Sequence, residues 1–181
     1  MKLWLVRHAL PLVEAGVCYG STDMAADVQA TLQAAAALST ELPERLAVAS
    51  SPQRRCVQLA DALHAARPDL PWRGDARLAE MDFGCWEGVR WSEIGQAEMQ
   101  RWAADFSDHR FGGRESVAQF VTRVGAALED TRNAGRDALW ISHAGVIRAA
   151  RLLASGVGLP LRADQWPTQS LGFGQCECLS L

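Results

Sequence analysis

Two histidines and two or three arginines stand in this chain where an anion could be held. Arg7 and His8 end the apolar run Leu3-Trp4-Leu5-Val6. His143 ends a second run, Ala138-Leu139-Trp140-Ile141-Ser142, and Ser50-Ser51-Pro52-Gln53-Arg54-Arg55 follows a third, Leu46-Ala47-Val48-Ala49. Arginine offers a planar fork of donors matched to phosphate oxygens and keeps its charge at any working pH. Neutral histidine can attack phosphorus, and protonated histidine can donate to its oxygens. Taken alone, Arg7-His8 reads as the first polar step of a surface loop. Three such endings together read as a phosphate pocket. No Walker-type glycine loop and no carboxylate cluster for magnesium is evident, so histidine as the nucleophile of a metal-free transfer is the economical route. Glu80, Asp82 and Glu87 in the Glu80–Gly88 stretch compete evenly for a proton-transfer role.

The elements that must position these groups follow from short apolar runs alternating with helical periodicity. Val28, Leu32, Ala35 and Leu38 predict one face of an alanine-rich helix after a long Gly, Pro, Ser and Asp-containing loop, Ala9 to Asp27. Ser50-Ser51-Pro52 reads as a capped helix start, with Cys56, Leu59, Ala60 and Leu63 on the buried side. Arg54 and Arg55 then fall at a helix N-terminus, unfavourable for a cation but a natural anion site, so at least one of them is expected to face a bound anion. Asp75 to Glu80 reads as extended and Trp91 to Asp105 as helical. Ser116 with Gln119 forms a capping-box signature before Val117, Phe120, Val121, Val124 and Leu128, the clearest amphipathic stripe. Val146, Ile147, Ala150, Leu153 and Ala154 predict a helix after His143, stopped by Gly156, and Gln175 to Leu181 predicts a last strand. The alternation implies a three-layer α/β/α sandwich around a mainly parallel, mixed sheet. In a parallel sheet the chemistry-bearing ends share one edge, where open α/β sheets bind ligands.

The totals narrow the classes. The 181 residues are expected to form a single domain, 1–181, with 49% hydrophobic and 22% charged residues as in ordinary globular chains. Net charge is −3 with no basic run, which argues against a nucleic-acid partner. No stretch reaches the ~18 apolar residues of a membrane span, and the N-terminus has no signal-peptide core. Five scattered cysteines, Cys18, Cys56, Cys85, Cys176 and Cys178, form no disulfide framework or zinc pattern, which points to a reducing cytoplasm. His64 and His109 read as solvated; Trp86 and Trp91 as core or as the lining of a substrate mouth; Tyr19, Ser21 and Thr22 as substrate contacts from the first loop.

Taken together, the motifs resemble the histidine phosphatase superfamily in its phosphoglycerate-mutase-like branch, over nearly the whole chain. Leu5-Val6-Arg7-His8 matches Leu-Val-Arg-His-Gly, and Ser50-Ser51-Pro52-Gln53-Arg54-Arg55 matches Ser-Ser-Pro-Leu-x-Arg. Leu78 to Gly88 matches the segment whose first glutamate is the proton donor. Gly113-Arg114-Glu115-Ser116 is similar to a Gly-Gly-Glu-Ser turn, and Ser142-His143-Ala144-Gly145 to the second-histidine motif. The resemblance implies that His8, Glu80 and His143 are catalytic and that Arg7 and Arg55, rather than Arg54, bind phosphate. It implies a phosphohistidine intermediate with no metal or cofactor. Four positions depart from the pattern: Ala9, Pro11, Arg114 and Ala144. None removes a charged catalytic group.

The Val17-Cys18-Tyr19-Gly20 stretch and the Glu80–Gly88 segment are most similar to bacterial α-ribazole phosphatases, which act in assembly of the cobalamin lower ligand. A small phosphate ester is the expected partner, without nucleic acid or membrane; oligomeric state is left open. Alternatives are a broad-specificity phosphatase, a phosphoglycerate mutase, or a non-enzymatic binder of phosphorylated ligands. True mutases of the family are longer.

Overall fold

The computed structural model describes residues 1–181. Five strands form one sheet in the order β3-β2-β4-β1-β5, with β1 Lys2–Arg7, β2 Ala47–Ser50, β3 Trp72–Gly74, β4 Ala138–Ser142 and β5 Cys176–Ser180. Neighbours pair parallel except β5, which runs antiparallel to β1. Side-chain alternation splits each central strand between two cores. Leu3, Leu5, Ala138 and Trp140 enter the core beneath α4 (Val117–Asn133) and α5 (Ala144–Ala154). Val6, Leu139 and Ile141 enter the opposite core, beneath α1 (Val28–Glu41) and α2 (Arg54–Ala66). This is the expected α/β/α sandwich with a mixed, mainly parallel sheet. Every residue of β4 is buried, as a strand covered on both faces requires.

The α4 stripe is buried as read, including Val117, Phe120, Val121, Val124 and Leu128, and its Ser116–Gln119 capping box forms in both directions. Other expectations are corrected. Of the expected α1 face, Ala35 and Leu38 are buried, but Val28 and Leu32 are 65% and 53% exposed and Thr31 is buried with the first two. Alanine-rich periodicity fits more than one helix face, and the tertiary contact selects among them. The start of α2 lies at Arg54, with Gln53 as its N-cap and no side-chain cap bond. Asp75 to Glu80 is not one extended segment: Ala76–Leu78 form a 3₁₀ turn, started by Asp75 accepting from the Arg77 N–H at 2.9 Å. Trp91–Asp105 divides at Ile94-Gly95 into a 3₁₀ turn, Trp91–Glu93, and α3, Gln96–Ala104. His109 is also not free in solvent: its Nε2 lies 2.9 Å from Glu98.

Candidate active site

Strand register places the two histidines together. Arg7 pairs with Ser142 across β1 and β4, so His8 and His143 are the next residues on adjacent parallel strands. The His8 N–H donates to the Ser142 carbonyl at 2.9 Å, and the two rings stand 5.2 Å apart, centroid to centroid. Both are buried. His8 Nδ1 lies 2.7 Å from the Ala9 carbonyl. A carbonyl only accepts, so Nδ1 carries the proton and Nε2 keeps its lone pair. Burial, then the Arg55 charge, push the His8 pKa down to about 3. His143 is driven well below its ordinary value by burial, then by His8 and Arg55. Two neutral rings therefore stand side by side at the strand ends at neutral pH, with His8 lining the cavity. His143 Nε2 shares a 2.8 Å hydrogen bond with Ser51 Oγ, and Cys56 Sγ lies 3.4 Å from the same nitrogen. Burial raises the Cys56 thiol, which keeps it protonated.

The arginines converge on the same edge. Arg55 is fully buried, donating Nη1 to the Thr22 carbonyl at 2.8 Å and Nη2 to the Gly20 carbonyl at 2.7 Å. Arg7 donates Nη1 to the Leu171 carbonyl at 2.8 Å, and its guanidinium stacks 3.8 Å from the Phe173 ring centroid. The Nε atoms of both are buried without a partner. Such groups are costly to leave unpaired, and an anionic oxygen is the partner they fit. Tyr19 lies beside them, its ring centroid 5.4 Å from Arg55 Cζ. Arg54 is exposed and contributes only its main-chain N–H, to Asp23 at 2.6 Å.

Among the three competing carboxylates, the geometry separates the roles. Glu80 lines the same cavity as Arg7 and His8. It accepts from the N–H of Gly145, at the start of α5, at 3.0 Å, and from its neighbour Met81 at 3.1 Å. A Cβ on Gly145 would sit 2.2 Å from Glu80 Oε1, so this approach requires glycine. Glu87 is committed elsewhere: it accepts from the backbone of Gly20, Ser21, Thr22 and Phe83 at 2.9–3.1 Å and from the Ser21 and Thr22 hydroxyls. Burial works against its charge, but the Thr22 hydroxyl and those N–H groups outweigh it and hold the carboxyl below the usual range. Asp82 accepts from the Gly84 N–H at 2.8 Å. Ser21 and Thr22, expected as substrate contacts, face the same carboxylate. Their hydroxyls are spent on Glu87 and neither lines the cavity, whereas Tyr19 does.

Next to the histidines the cavity opens to about 370 Å³ between Phe83, Trp91, Trp102, Phe106, Phe120 and Trp166. Trp91 and Trp102 both stack on buried Phe111, at centroid distances of 6.0 and 4.3 Å. Trp86 packs behind this wall against Phe111 and is not part of the lining. Arg148, three residues beyond Gly145 on α5, is half-buried at the rim and donates to Ser170 Oγ at 2.6 Å.

Sequence reasoning missed several of these groups. Gln53 joins two loops, donating to the Gly20 carbonyl at 2.6 Å and accepting from the Glu80 N–H at 2.9 Å. Phe173 and Arg148 carry no local signal; only the fold brings them to the site. Of the departures, Ala9 and Ala144 have φ outside the left-handed region, so an added methyl costs no backbone strain. Pro11 bridges to Ala26 at the loop base, and Arg114 lies 3.7 Å from Asp82 on the surface.

Residues 3–171 match the model of the histidine phosphatase superfamily, branch 1. No curated protein matches the chain. Among solved structures, it is similar to a mycobacterial glucosyl-3-phosphoglycerate phosphatase, with TM-score 0.82 and 21% identity over 98% of this chain and 88% of that one. The complex of that enzyme with inorganic phosphate is similar too, with TM-score 0.81 and 22% identity over 99% and 89%. A protein of Thermus thermophilus aligns with TM-score 0.75 and 28% identity over 99% and 93%. No helix is long and apolar enough to cross a membrane. With the family match spanning both histidine motifs and the segment around Glu80, the chain is a phosphatase that belongs to the histidine phosphatase superfamily, branch 1.

Proposed function

We propose that residues 1–181 form one catalytic domain, a metal-independent cytoplasmic phosphomonoesterase that works through a phosphohistidine on His8. The observation that carries this reading is the convergence of a neutral, correctly tautomerised His8 with His143, two arginines with unpartnered Nε groups and Glu80 on one sheet edge. In the first step the His8 Nε2 lone pair forms the N–P bond while the bond from phosphorus to the ester oxygen breaks. That oxygen keeps the electron pair and takes a proton from Glu80. Arg7, Arg55 and His143 hold the non-bridging oxygens. A dianionic phosphate reverses the local field, so the oxygens draw a proton onto His143 and receive a hydrogen bond from it. In the second step water attacks phosphorus and gives its proton to Glu80, and the N–P electron pair returns to His8. Five free thiols suit a reducing compartment.

The aromatic walls support α-ribazole 5′-phosphate as the substrate, with a role in cobalamin lower-ligand assembly. A flat base-riboside offers faces to stack on Trp and Phe. Its hydroxyl and ring-nitrogen acceptors suit the buried, unpartnered Trp102 Nε1 and Arg148 Nε. A metal-free phosphate-release assay over α-ribazole 5′-phosphate, phosphoglycerates, sugar phosphates and nucleotides tests the substrate; the highest kcat/KM is expected on the α-ribazole ester. Preference for a phosphoglycerate would overturn it. Quenching in alkaline detergent with phosphate-labelled substrate should trap a phosphoenzyme that survives base, is lost in acid and is absent from His8→Ala; normal turnover by His8→Ala would end the nucleophile assignment.

A further inference from the structure

Glu80 lies on a segment with no strand or long helix of its own, between the 3₁₀ turn Ala76–Leu78 and the turn at Gly84–Trp86. A proton donor must nonetheless be held to within a fraction of an ångström, because a misplacement of about 1 Å can cost about 10²-fold in rate. Gln53 accepts from the Glu80 N–H and Gly145 donates to its carboxylate; the grip on the main-chain carbonyls of the segment comes from two further residues outside the catalytic set. Arg123, on α4, donates Nη1 to the carbonyls of Arg77 at 2.8 Å and Ala79 at 2.6 Å, and Nη2 to the carbonyl of Glu80 itself at 3.0 Å. Its remaining two N–H groups go to Glu115, Nε to Oε1 at 2.7 Å and Nη2 to Oε2 at 3.0 Å. Glu115 Oε2 then accepts from the Asp82 N–H at 3.1 Å. All five guanidinium donors are used, and the pair grips the chain on both sides of Glu80.

We infer that the Glu115–Arg123 pair is the positioning device for Glu80, setting the proton donor without touching substrate; the inference rests on Glu80 acting as that donor. An ordinary surface ion pair contributes little and has no need of three further bonds to main-chain carbonyls. Here the side chains are only 23% and 16% exposed, and the guanidinium packs 4.7 Å from the ring centroid of Phe120, a wall of the cavity. The arrangement needs a flat fork of donors. Lysine, with three donors on one atom, cannot bridge the carboxylate and three carbonyls together.

The test separates positioning from general support of the fold. Para-nitrophenyl phosphate releases a phenolate that leaves without protonation, whereas phenethyl phosphate releases an alkoxide that needs it. The kcat/KM on each ester is compared for the wild type, Glu80→Gln, Arg123→Lys and Glu115→Gln, in the intact chain without added metal. Glu80→Gln should lose about 10²-fold on phenethyl phosphate and far less on the aryl ester. Arg123→Lys and Glu115→Gln should show the same selectivity, about 10-fold or more against under about 3-fold. Equal losses on both esters in Glu80→Gln would remove Glu80 as the proton donor. Selective loss in Glu80→Gln, with equal loss or no loss in the other two variants, would overturn the positioning role alone. A partly unfolded population scales both rates by one factor and counts against the inference.

Discussion

Arg54 and Arg55 are chain neighbours with opposite surroundings, and the difference decides what each can do. Arg55 is fully buried with its Nε unpartnered at the phosphate edge, and Arg54 is in solvent. Removing one donor to a developing oxyanion costs roughly 10²–10³ in rate, so Arg55→Ala should fall by that order in kcat/KM while Arg54→Ala stays near wild type. Comparable losses in the two would refute this placement. Arg55→Ala should also lower Tm, because the Thr22 carbonyl loses its side-chain donor and the Gly20 carbonyl keeps only Gln53. Residue types and spacing were enough to expect Arg7, His8 and His143 at one edge of the sheet, where the register brings them, since each stands at the end of an apolar strand. Ser21 and Thr22 could not be placed that way. Their hydroxyls are claimed by Glu87, more than sixty residues further along, and no local pattern carries that contact.

Helix α5 links the second histidine to the carboxylate through its first turn. His143 is its N-cap, and Gly145 donates to Glu80 from a position where a methyl group would stand 2.2 Å from the carboxylate oxygen. The obstacle to alanine is the end of a flexible side chain, not backbone. Gly145→Ala should therefore fold with a Tm close to wild type while Glu80 swings away. Its kcat/KM should drop about 10-fold or more on alkyl phosphates and much less on aryl phosphates. A large loss of Tm, or unchanged rates on both, would contradict this. The amphipathic elements were legible at this scale: α4 keeps its stripe and capping box, and β4 its continuous apolar run. Residues 75 to 80 were not, because Asp75 binding the Arg77 N–H and Arg123 gripping the carbonyls impose a turn that periodicity does not announce. The aromatic chamber was also hidden, since its walls come from segments spread between Phe83 and Trp166.

For the molecule as a whole, a net charge of −3 surrounds a catalytic edge that is locally cationic, and holding two histidines neutral there has a cost that depends on pH. His8 titrates near 6.5 when unfolded and at about 3 when folded. Above pH 6.5 both states are neutral at this residue, and it does not bias folding. Below 6.5 the unfolded chain takes up a proton that the folded site refuses, so stability falls as the pH drops towards 3. From pH 7 to pH 5 this single group removes about 2 kcal/mol. For a chain of this size that corresponds to roughly 4–8 °C in Tm. The carboxylates also titrate as the pH falls, so the informative quantity is the difference between wild type and His8→Ala, in which their contribution is shared. The wild-type Tm should fall by roughly 4–8 °C more than that of His8→Ala over this interval. Inorganic phosphate should narrow the gap at pH 5, because a phosphate anion beside His8 lets the folded site accept the proton that the empty site rejects. Parallel Tm curves for the two proteins would show that His8 is not held neutral by burial, and the account of its nucleophilicity would fail with it.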